Sequence, residues 1–257
     1  MKVIILAAGQ GTRLRPHTDN KPKCMVELAG QPMLHRQLQV LNNFGVNDVV
    51  LVGGYKAEHL DNQGVTVVIN PDYAETNMVC TLFCAEEFMS PGEDLLITYG
   101  DIIYEPKVLT SLLSTDADIV ISIDKEWQRL WETRMDDPLS DAETLKITNG
   151  NKIIELGKKP NSIADIQGQY MGLIKIRGDF VNTFKKFWHG INRDRLYDGQ
   201  TFQNMYMTSF LQLLIDAGYD ARAAFTEGGW LEVDTVEDLN QYQEMHDTGE
   251  LNKLIKL

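Results

Sequence analysis

The sequence is poor in cysteine and carries little positive charge for its length. Cys24, Cys80 and Cys84 are its three cysteines, and their spacing matches neither a metal-binding motif nor a disulfide framework, which favours a reducing compartment. Lysine and arginine number 24 against 37 aspartates and glutamates, so the net charge is −13. Because nucleic acids and anionic membranes are bound through basic surfaces, we expect neither as a partner.

Long apolar runs are missing as well. No stretch approaches the roughly 20 apolar residues of a membrane-spanning helix, and the apolar run near the N-terminus is too short for a signal peptide. With 43% hydrophobic residues, the chain can still bury a full core. We therefore expect a cytoplasmic protein. The sequence leaves open whether it forms a homo-oligomer.

Short apolar runs alternate with amphipathic stretches along the first half of the chain. Helical patterns cover 32–44 and 77–88, and Gly45 is placed to end the first of them. This alternation predicts a Rossmann-like, three-layer α/β fold with a mostly parallel mixed sheet and right-handed crossovers. Five runs have the length and content of buried strands: 3–6, 48–52, 65–69, 95–98 and 119–123.

The pattern is looser after Asp124. Residues 125–141 show no clean period and predict an ordered loop or short helices. Asn149, Gly150 and Asn151 predict a hairpin turn. The elements expected in this part are strands at 144–147, 152–156 and 170–176 and helices at 180–188, 201–217 and 236–247.

The loop after the first predicted strand is the most informative segment. Gly9 and Gly11 allow bare backbone to turn its N–H groups onto a ligand, and Arg13 and Lys23 follow with fixed positive charge. This combination predicts a polyphosphate site and a nucleotide-dependent enzyme. The loop lacks the third glycine of a dinucleotide-binding motif and the lysine of a P-loop. The structural alternative is that both glycines merely shape a turn.

Two aspartates follow predicted strands in distant parts of the sequence. Asp101 comes after the fourth strand, where ligands bind in open α/β sheets, and Asp234 follows a short apolar run. Two carboxylates beside a triphosphate suit Mg²⁺, which takes few protein oxygens and completes its shell with water and phosphate. Glu232 is a further candidate ligand. Alternatively, Asp101 caps a turn and Asp234 caps the last helix.

Two other segments are candidates for binding the base and the acceptor. Gly53, Gly54 and Tyr55 could hold a nucleobase after the second strand, with Asn77 pairing to a base or ribose. Their ordinary alternatives are a turn and a helix N-cap. In the looser region, aromatic, cationic and acidic side chains suggest a pocket that reads a charged acceptor, although ordinary packing remains open. These candidates are Trp127, Trp131, Arg134 and Glu143.

The pattern L-A-A-G-x-G-T-R-L-x-P-x-T-x-x-x-P-K at residues 6–23 resembles the signature of the sugar-nucleotidyltransferase superfamily. The resemblance implies a nucleotidyltransferase fold, catalytic roles for Arg13 and Lys23, and Mg²⁺ held by Asp101 and Asp234. The organisation of elements along the chain predicts a single domain, 1–257, with a nucleotide half at about 1–123, an acceptor half at about 124–230 and a C-terminal helix at 235–257. The expected nucleotide-binding residues are Leu6, Ala8, Gly9, Gly11, Thr12, Gly54, Tyr55 and Asn77.

Lys158, Lys159 and Pro160 resemble the E-K-P element of the same superfamily. That likeness implies that Lys159 faces the acceptor phosphate, whereas two surface lysines are the ordinary interpretation. Lys158 replaces a glutamate that commonly engages a sugar hydroxyl in the family. The departure speaks against a hexose acceptor.

Within the superfamily, the chain is most similar to cytidylyltransferases that act on phosphocholine, phosphonates and, above all, phosphoglutamine in bacterial capsule modification. The likeness implies CMP transfer from CTP to the phosphate of a small amine or amide, with release of pyrophosphate. A sugar-1-phosphate nucleotidyltransferase stays open. Two other classes also stay open. A glycosyltransferase would have a D-x-D motif at Asp101, where this sequence has two isoleucines after the aspartate, and the second class is an inactive nucleotide-binding homologue. The segments that carry the likeness are 23–27, 76–79, 83–85, 141–145 and 204–210.

Overall fold

A computed structural model of the protein describes residues 1–61 and 63–257. Its strands are β1 Lys2–Ala7, β2 Glu27–Leu28, β3 Gln31–Pro32, β4 Val49–Gly53, β5 Thr66–Ile69, β6 Leu95–Tyr99, β7 Ile102–Tyr104, β8 Ile119–Asp124, β9 Leu145–Thr148, β10 Lys152–Leu156, β11 Gln169–Ile176, β12 Ala221–Thr226 and β13 Trp230–Glu232. Its α-helices are α1 Met33–Asn43, α2 Met78–Cys84, α3 Pro106–Ser114, α4 Trp127–Arg134, α5 Val181–Gly190, α6 Met207–Asp216 and α7 Val236–Asp247.

One nine-stranded sheet forms the centre, in the order β5-β4-β1-β6-β11-β8-β12-β10-β9. The first four strands in this order run parallel to one another. Strand β11 is antiparallel to both β6 and β8, and β10 is antiparallel to both β12 and β9, so these two run against the rest. Small two-stranded sheets join β13 to β7 and β2 to β3. The predicted mostly parallel mixed sheet is confirmed.

Successive residues of β1 enter two different cores. Val3 and Ile5 pack into the core on the α1, α3 and α7 side of the sheet. Ile4 and Leu6 pack into the core on the α2, α5 and α6 side. Both faces of the strand are therefore buried, which is why its sequence is a continuous apolar run without alternation. The three predicted layers are confirmed.

Most predicted elements lie within a few residues of the observed ones, and the differences have local causes. Asn77 caps α2, which ends at Cys84 and is followed by a 3₁₀ turn to Phe88. The expected helix at 201–217 begins only at Met207, because Tyr206 before it is extended. The loose region contains α4. The sequence pattern does not predict the elements β2, β3, β7, α3 and β12. None of the described helices has the length and apolar content to cross a membrane.

Candidate active site

The loop with Gly9 and Gly11 follows the carboxyl end of β1, beside the carboxyl end of the parallel strand β6. Gly11 has a φ of +59°, and a Cβ there would lie 3.1 Å from both Lys23 Cβ and Thr18 Cγ2. Thr18 Oγ1 donates to the Gly11 carbonyl oxygen over 2.8 Å and fixes the loop. Gly11 therefore lets the loop pack against Lys23. A Cβ on Gly9 would meet no described atom within 4 Å, so that backbone is open to a ligand.

The ammonium of Lys23 lies between two carboxylates from distant parts of the chain. Its Nζ donates to Asp101 Oδ2 over 2.8 Å and to Asp234 Oδ1 over 2.8 Å. Arg13 Nη1 pairs with Asp234 Oδ2 over 2.5 Å. The two predicted cations and the two predicted metal ligands thus form one cluster, with Lys23, Asp101 and Asp234 only 14–15% exposed.

Electrostatics keep Lys23 charged. Burial lowers the pKa of Lys23, but the charges of Asp101, Asp234 and Glu232 outweigh this effect and raise the pKa above its usual value.

Asp101 Oδ1 is buried without a hydrogen-bond partner among the described residues. Within the part of the chain that the structure describes, no set of three or more His, Cys, Asp or Glu side chains forms a metal-binding group.

A first cavity, of about 120 Å³, opens beside this cluster. Of the residues predicted to bind the nucleotide, to act in catalysis or to hold the metal, it is lined by Leu6, Ala8, Gly9, Asn77, Lys23 and Asp101. Sequence reasoning missed Tyr73, Thr76 and Thr81 in its wall. Thr76 and Thr81 share the Asn70 side-chain amide at 3.0 Å each. Their signal in the sequence was weak, because threonines flanking a helix start are common caps.

Four other residues predicted to bind the nucleotide lie outside the lining of this cavity. These are Gly11, Thr12, Gly54 and Tyr55. Gly54 has a packing role, since a Cβ there would lie 2.6 Å from Tyr73 Cβ and 2.8 Å from the Ala8 carbonyl oxygen. The Tyr55 N–H already donates to that carbonyl over 3.0 Å. The turn therefore supports the cavity wall from behind.

Asn77 lines the cavity and also caps a helix. Its Oδ1 accepts from the Met78 N–H over 2.8 Å, which is the N-cap alternative raised from the sequence. Its Nδ2 donates to the Asn204 carbonyl over 3.4 Å, a long contact that leaves this donor weakly bound. The amide can therefore cap α2 and still offer a donor to a ligand.

A second cavity, of about 340 Å³, shares Asn77 and Met78 with the first. Its wall is aromatic and acidic, and Arg13 supplies a guanidinium at its rim. The predicted acceptor residues Trp131 and Glu143 line it. Aromatic and acidic residues in the lining are Tyr99, Trp131, Asp141, Glu143, Tyr170, Tyr206, Trp230 and Glu232.

Glu143 is held in this wall by its neighbours. Gln169 accepts from the Glu143 N–H over 3.1 Å and donates to its carbonyl oxygen over 2.5 Å. Thr208 Oγ1 donates to Glu143 Oε1 over 3.4 Å. Burial raises the pKa of Glu143 to about 7, although the hydrogen bond from Thr208 opposes the shift. Burial likewise raises the pKa of Glu232 to about 7 against the opposing charge of Arg134.

The structure places Trp127, Arg134 and Lys159 away from the cavity lining, unlike the sequence-based prediction. Helix α4 turns Trp127 into the core, where it is 4% exposed. Arg134 lies behind the wall and donates to Glu232 and Asp238. Lys159 is exposed on a loop, and Lys158 beside it pairs with Asp198 over 2.6 Å. The helical period of α4 determines which of its side chains face inward, and the sequence shows this period only weakly.

Comparisons with known proteins identify the family of the chain. Residues 3–156 match the MobA-like NTP transferase domain. A CTP:phosphoglutamine cytidylyltransferase of Campylobacter jejuni is 43% identical over 248 residues, which cover 93% of this chain and 98% of that protein. The chain belongs to the MobA-like NTP transferase family. A choline-phosphate cytidylyltransferase of Streptococcus pneumoniae is 42% identical over 91 residues, 34% of this chain and 40% of that protein.

Solved structures share the fold of this family member at low sequence identity. The inositol-1-phosphate CTP transferase of T. maritima has a TM-score of 0.72 at 21% identity and covers 100% of this chain and 98% of its own. The CTP:phosphocholine cytidylyltransferase of Streptococcus pneumoniae has a TM-score of 0.69 at 21% identity, with 95% and 98% coverage. The predicted nucleotidyltransferase fold is therefore confirmed. The family match and the 43% identical relative show that the protein is a nucleotidyltransferase.

Two adjoining cavities and a charged cluster between them suit such an enzyme. Lys23 and Asp101 face the first cavity, and Arg13 and Glu232 face the second. Asp234 binds both cations and so joins the two sides. This arrangement can hold two substrates end to end and place fixed charge where they meet.

Proposed function

We propose that the protein transfers CMP from CTP to the phosphate of a small phosphorylated amine or amide, phosphoglutamine first, and releases pyrophosphate. The observation that carries this proposal is the Lys23 ammonium held at 2.8 Å from both Asp101 and Asp234, between the two cavities. The 43% identity to a phosphoglutamine enzyme over nearly the whole chain supports the choice of substrates. We further propose that the reaction serves the modification of a bacterial capsule or surface polysaccharide, as the resemblance to phosphoglutamine cytidylyltransferases implies.

The reaction needs alignment and charge neutralisation more than a protein nucleophile. The acceptor phosphate is already ionised and can attack the α-phosphorus of CTP directly, expelling pyrophosphate. Gly9 in the lining of the first cavity, and Gly11 in the loop just beyond it, offer backbone N–H groups to the leaving phosphates. Lys23 and Arg13 neutralise charge that grows during the transfer. Positioning of this kind is the main source of rate acceleration in transfers between phosphates.

The residues present fit a Mg²⁺ ion. Asp101 and Asp234 lie close enough to share one ammonium, and Asp101 Oδ1 has no hydrogen-bond partner among the described residues. Hard carboxylate oxygens are the ligands that Mg²⁺ takes beside phosphates. Asp101 and Asp234 would hold the ion, with Glu232 nearby, and a bound Mg²⁺ supplies Lewis-acid polarisation of the α-phosphate.

Cytosine is the base that we assign to the first cavity. Thr76, Thr81 and Asn77 place hydroxyl and amide groups in its wall, and Tyr73 adds an aromatic ring. Donors and acceptors of this kind can read the amino group and ring nitrogen that distinguish cytosine from uracil. Gly54 and Tyr55 contribute by holding Tyr73 and Ala8 in place.

The far end of the acceptor is assigned to the second cavity. Trp131 and Glu143 face it, and an ammonium group would find both an aromatic face and a carboxylate there. Gln169 holds the Glu143 backbone by donating to its carbonyl oxygen, and Thr208 holds the carboxylate by donating to Oε1. A hexose phosphate is disfavoured, because Lys158 stands where the family commonly has a glutamate and is paired with Asp198.

Phosphocholine is the second candidate acceptor, and one observation favours it. Among the described residues that line the second cavity, Arg13 is the cationic side chain, and its guanidinium is paired with Asp234. A carboxylate on the acceptor would need such a cation, whereas the quaternary ammonium of phosphocholine needs only the aromatic and acidic wall.

A substrate panel tests the proposal. The protein is incubated with each of the four ribonucleoside triphosphates, Mg²⁺ and inorganic pyrophosphatase, against phosphoglutamine, phosphocholine and glucose 1-phosphate. Phosphate release gives the rate, and mass spectrometry identifies the CDP-linked product. We expect turnover with CTP and phosphoglutamine to exceed every other pair. Preference for a purine nucleotide, or for glucose 1-phosphate, would refute the assignment.

A further inference from the structure

Arg134 joins helix α4 to the segment that carries Glu232 and Asp234. Its Nη1 donates to Glu232 Oε2 over 2.8 Å. Its Nε and Nη2 donate to Asp238 Oδ1 and Oδ2 over 3.2 and 3.3 Å, a two-pronged contact. Arg134 and Asp238 are each 4% exposed, so this ion pair is almost fully shielded from water. The guanidinium has its partners within the protein and is not presented to either cavity.

Asp238 passes this link on to Asp234. Its Oδ2 accepts from the backbone N–H groups of Asp234 and Thr235, each over 3.0 Å. Thr235 Oγ1 in turn accepts from the Asp238 N–H over 3.0 Å, completing a capping box at the start of α7. The carboxylate of Asp238 is therefore shared between Arg134 and the backbone from which the Asp234 side chain projects.

Helix α4 also reaches the second cavity. Trp131 lies one turn before Arg134 and lines that cavity, and the Arg134 guanidinium carbon lies 5.5 Å from the centroid of its ring. Glu232 lines the same cavity. Arg134 thus contacts Glu232 in the cavity wall directly and lies against the ring of Trp131. Through Asp238 it also reaches the backbone of Asp234.

From these contacts we infer that Arg134 is a positioning residue for nucleotidyl transfer, which keeps Glu232 in the cavity wall and orients Asp234 toward Lys23 and the metal. This inference rests on the proposed function. It differs from the sequence-based hypothesis that Arg134 binds a carboxylate of the acceptor, because it requires the same effect on every acceptor.

The test compares Arg134→Gln, Arg134→Lys and Asp238→Asn with a control, Arg129→Gln. Arg129 lies on the same helix, is 47% exposed and pairs with Glu126 on the surface. For each variant, kcat and KM are measured with phosphoglutamine, which has a carboxylate, and with phosphocholine, which has none. Binding of Mn²⁺ in the presence of CTP is followed by electron paramagnetic resonance, and thermal unfolding verifies that each variant is folded.

We expect Arg134→Gln to lower kcat by about 10- to 100-fold with both acceptors and to weaken Mn²⁺ binding by about tenfold. The effect on Mn²⁺ is set at the low end of what loss of a metal ligand's direct partner causes, because Arg134 acts on Asp234 through Asp238. Asp238→Asn should reproduce this pattern from the other side of the ion pair. Arg134→Lys should recover part of kcat because it keeps the charge. Arg129→Gln should match the wild type.

Other outcomes are equally informative. A rise in KM for phosphoglutamine alone would show that Arg134 binds the acceptor and would overturn the inference. So would normal kcat and Mn²⁺ binding in folded Arg134→Gln and Asp238→Asn proteins. If Arg134→Gln does not fold, Arg134→Lys and Asp238→Asn carry the same test. Absence of turnover in the wild type, with Mn²⁺ binding still weakened in the variants, would refute the proposed function and uphold the positioning role.

Discussion

Lys23 Nζ lies 2.8 Å from Asp101 Oδ2, while the other oxygen of that carboxylate, Oδ1, is buried and meets no hydrogen-bonding partner among the described residues. Buried carboxylate oxygens are normally hydrogen-bonded, so an orphaned one invites an explanation. The Lys23 ammonium balances the charge of Asp101 but leaves half of its binding capacity free. A cation beside the first cavity would use that capacity.

Removal of the metal should abolish activity. We expect EDTA to stop CMP transfer and Mg²⁺ to restore it, because the α-phosphate would lose its Lewis acid. Asp101→Asn should stay folded but lose most of its turnover, since an amide oxygen is a weaker ligand for Mg²⁺ than a carboxylate. Turnover assays with and without EDTA, with circular dichroism of the variant, provide the measurement. Activity that persists in EDTA would mean that the metal site is misassigned.

Loss of the Lys23 ammonium should destabilise the fold. Lys23→Met leaves Asp101 and Asp234 facing each other without their shared counter-ion, and breaking a buried ion pair in this way costs about 3–5 kcal/mol. Added Mg²⁺ should recover part of the loss by taking the place of the ammonium. Urea unfolding in EDTA and in Mg²⁺ measures both effects, and Lys21→Met in the same loop is the control. Equal free energies of unfolding for Lys23→Met and wild type would contradict this view.

Arg13 should matter for the rate more than for binding. Arg13→Ala is expected to lower kcat by about 10²–10³-fold, because charge on the transferred phosphates would lose a preorganised partner. Arg13→Lys should rescue little, since the planar fork of the guanidinium is lost. Arg15→Ala, two residues along and 49% exposed, is a matched control. Steady-state kinetics of the three variants measure the effect. Near-normal turnover of Arg13→Ala would show that Arg13 has no catalytic role.

Glu143 should make stability depend on pH. Its pKa is about 7 in the folded protein against 4.5 ordinarily, so between these values the folded state keeps a proton that the unfolded state has released. The free energy of unfolding should therefore fall as pH rises from about 4.5 to about 7, by up to about 3 kcal/mol. Glu143→Gln lacks the titrating carboxyl group and should be the more stable protein above pH 7. Urea unfolding across this range measures the difference, and parallel curves for the two proteins would rule it out.

CTP should be preferred over UTP by roughly 5–150-fold in kcat/KM, because unmatched hydrogen-bonding groups in a buried site cost about 1–3 kcal/mol. Asn77→Ser separates the two roles of Asn77, since serine keeps the helix cap but lacks the amide donor. We expect the variant to keep its stability and lose part of the preference. Competition between CTP and UTP measures it. An unchanged preference would leave Asn77 as a cap alone.

The sequence predicted best those features that depend on residues close together in the chain. The apolar run of β1 and the loop with Gly9 and Gly11 are local, and the structure shows both where the pattern put them. The resemblance linked Asp101 to Asp234 across 133 positions, and the structure joins them through Lys23. Strand β6 ends just before Asp101, and β13 pairs antiparallel with β7 so that the Val233 N–H donates to the Asp101 carbonyl oxygen over 3.0 Å, which brings Asp234 beside Asp101. Strand pairing, not residue type, therefore makes the cluster.

The acceptor side was less predictable because it depends on how α4 is turned. Trp127 and Trp131 are both buried, yet only Trp131 lines the second cavity within the described structure. The composition of this region suggests that Arg134 binds an anion. In the structure, however, its partners are Glu232 and Asp238, which lie about a hundred residues later in the sequence. A local pattern cannot show that a buried cation is already paired.

Strand β11 lies between β6 and β8, although it follows β8, β9 and β10 in the chain. Its backbone bonds to β6 and β8 hold the two parts of the central sheet together. A fragment that ends at residue 156, where the family match ends, would lack both β11 and β12 and would leave one edge of β6, both edges of β8 and one edge of β10 unpaired. Because β11 pairs with both β6 and β8, the nucleotide side and the acceptor side share one sheet, and we expect that the chain cannot be divided into two separately folding pieces.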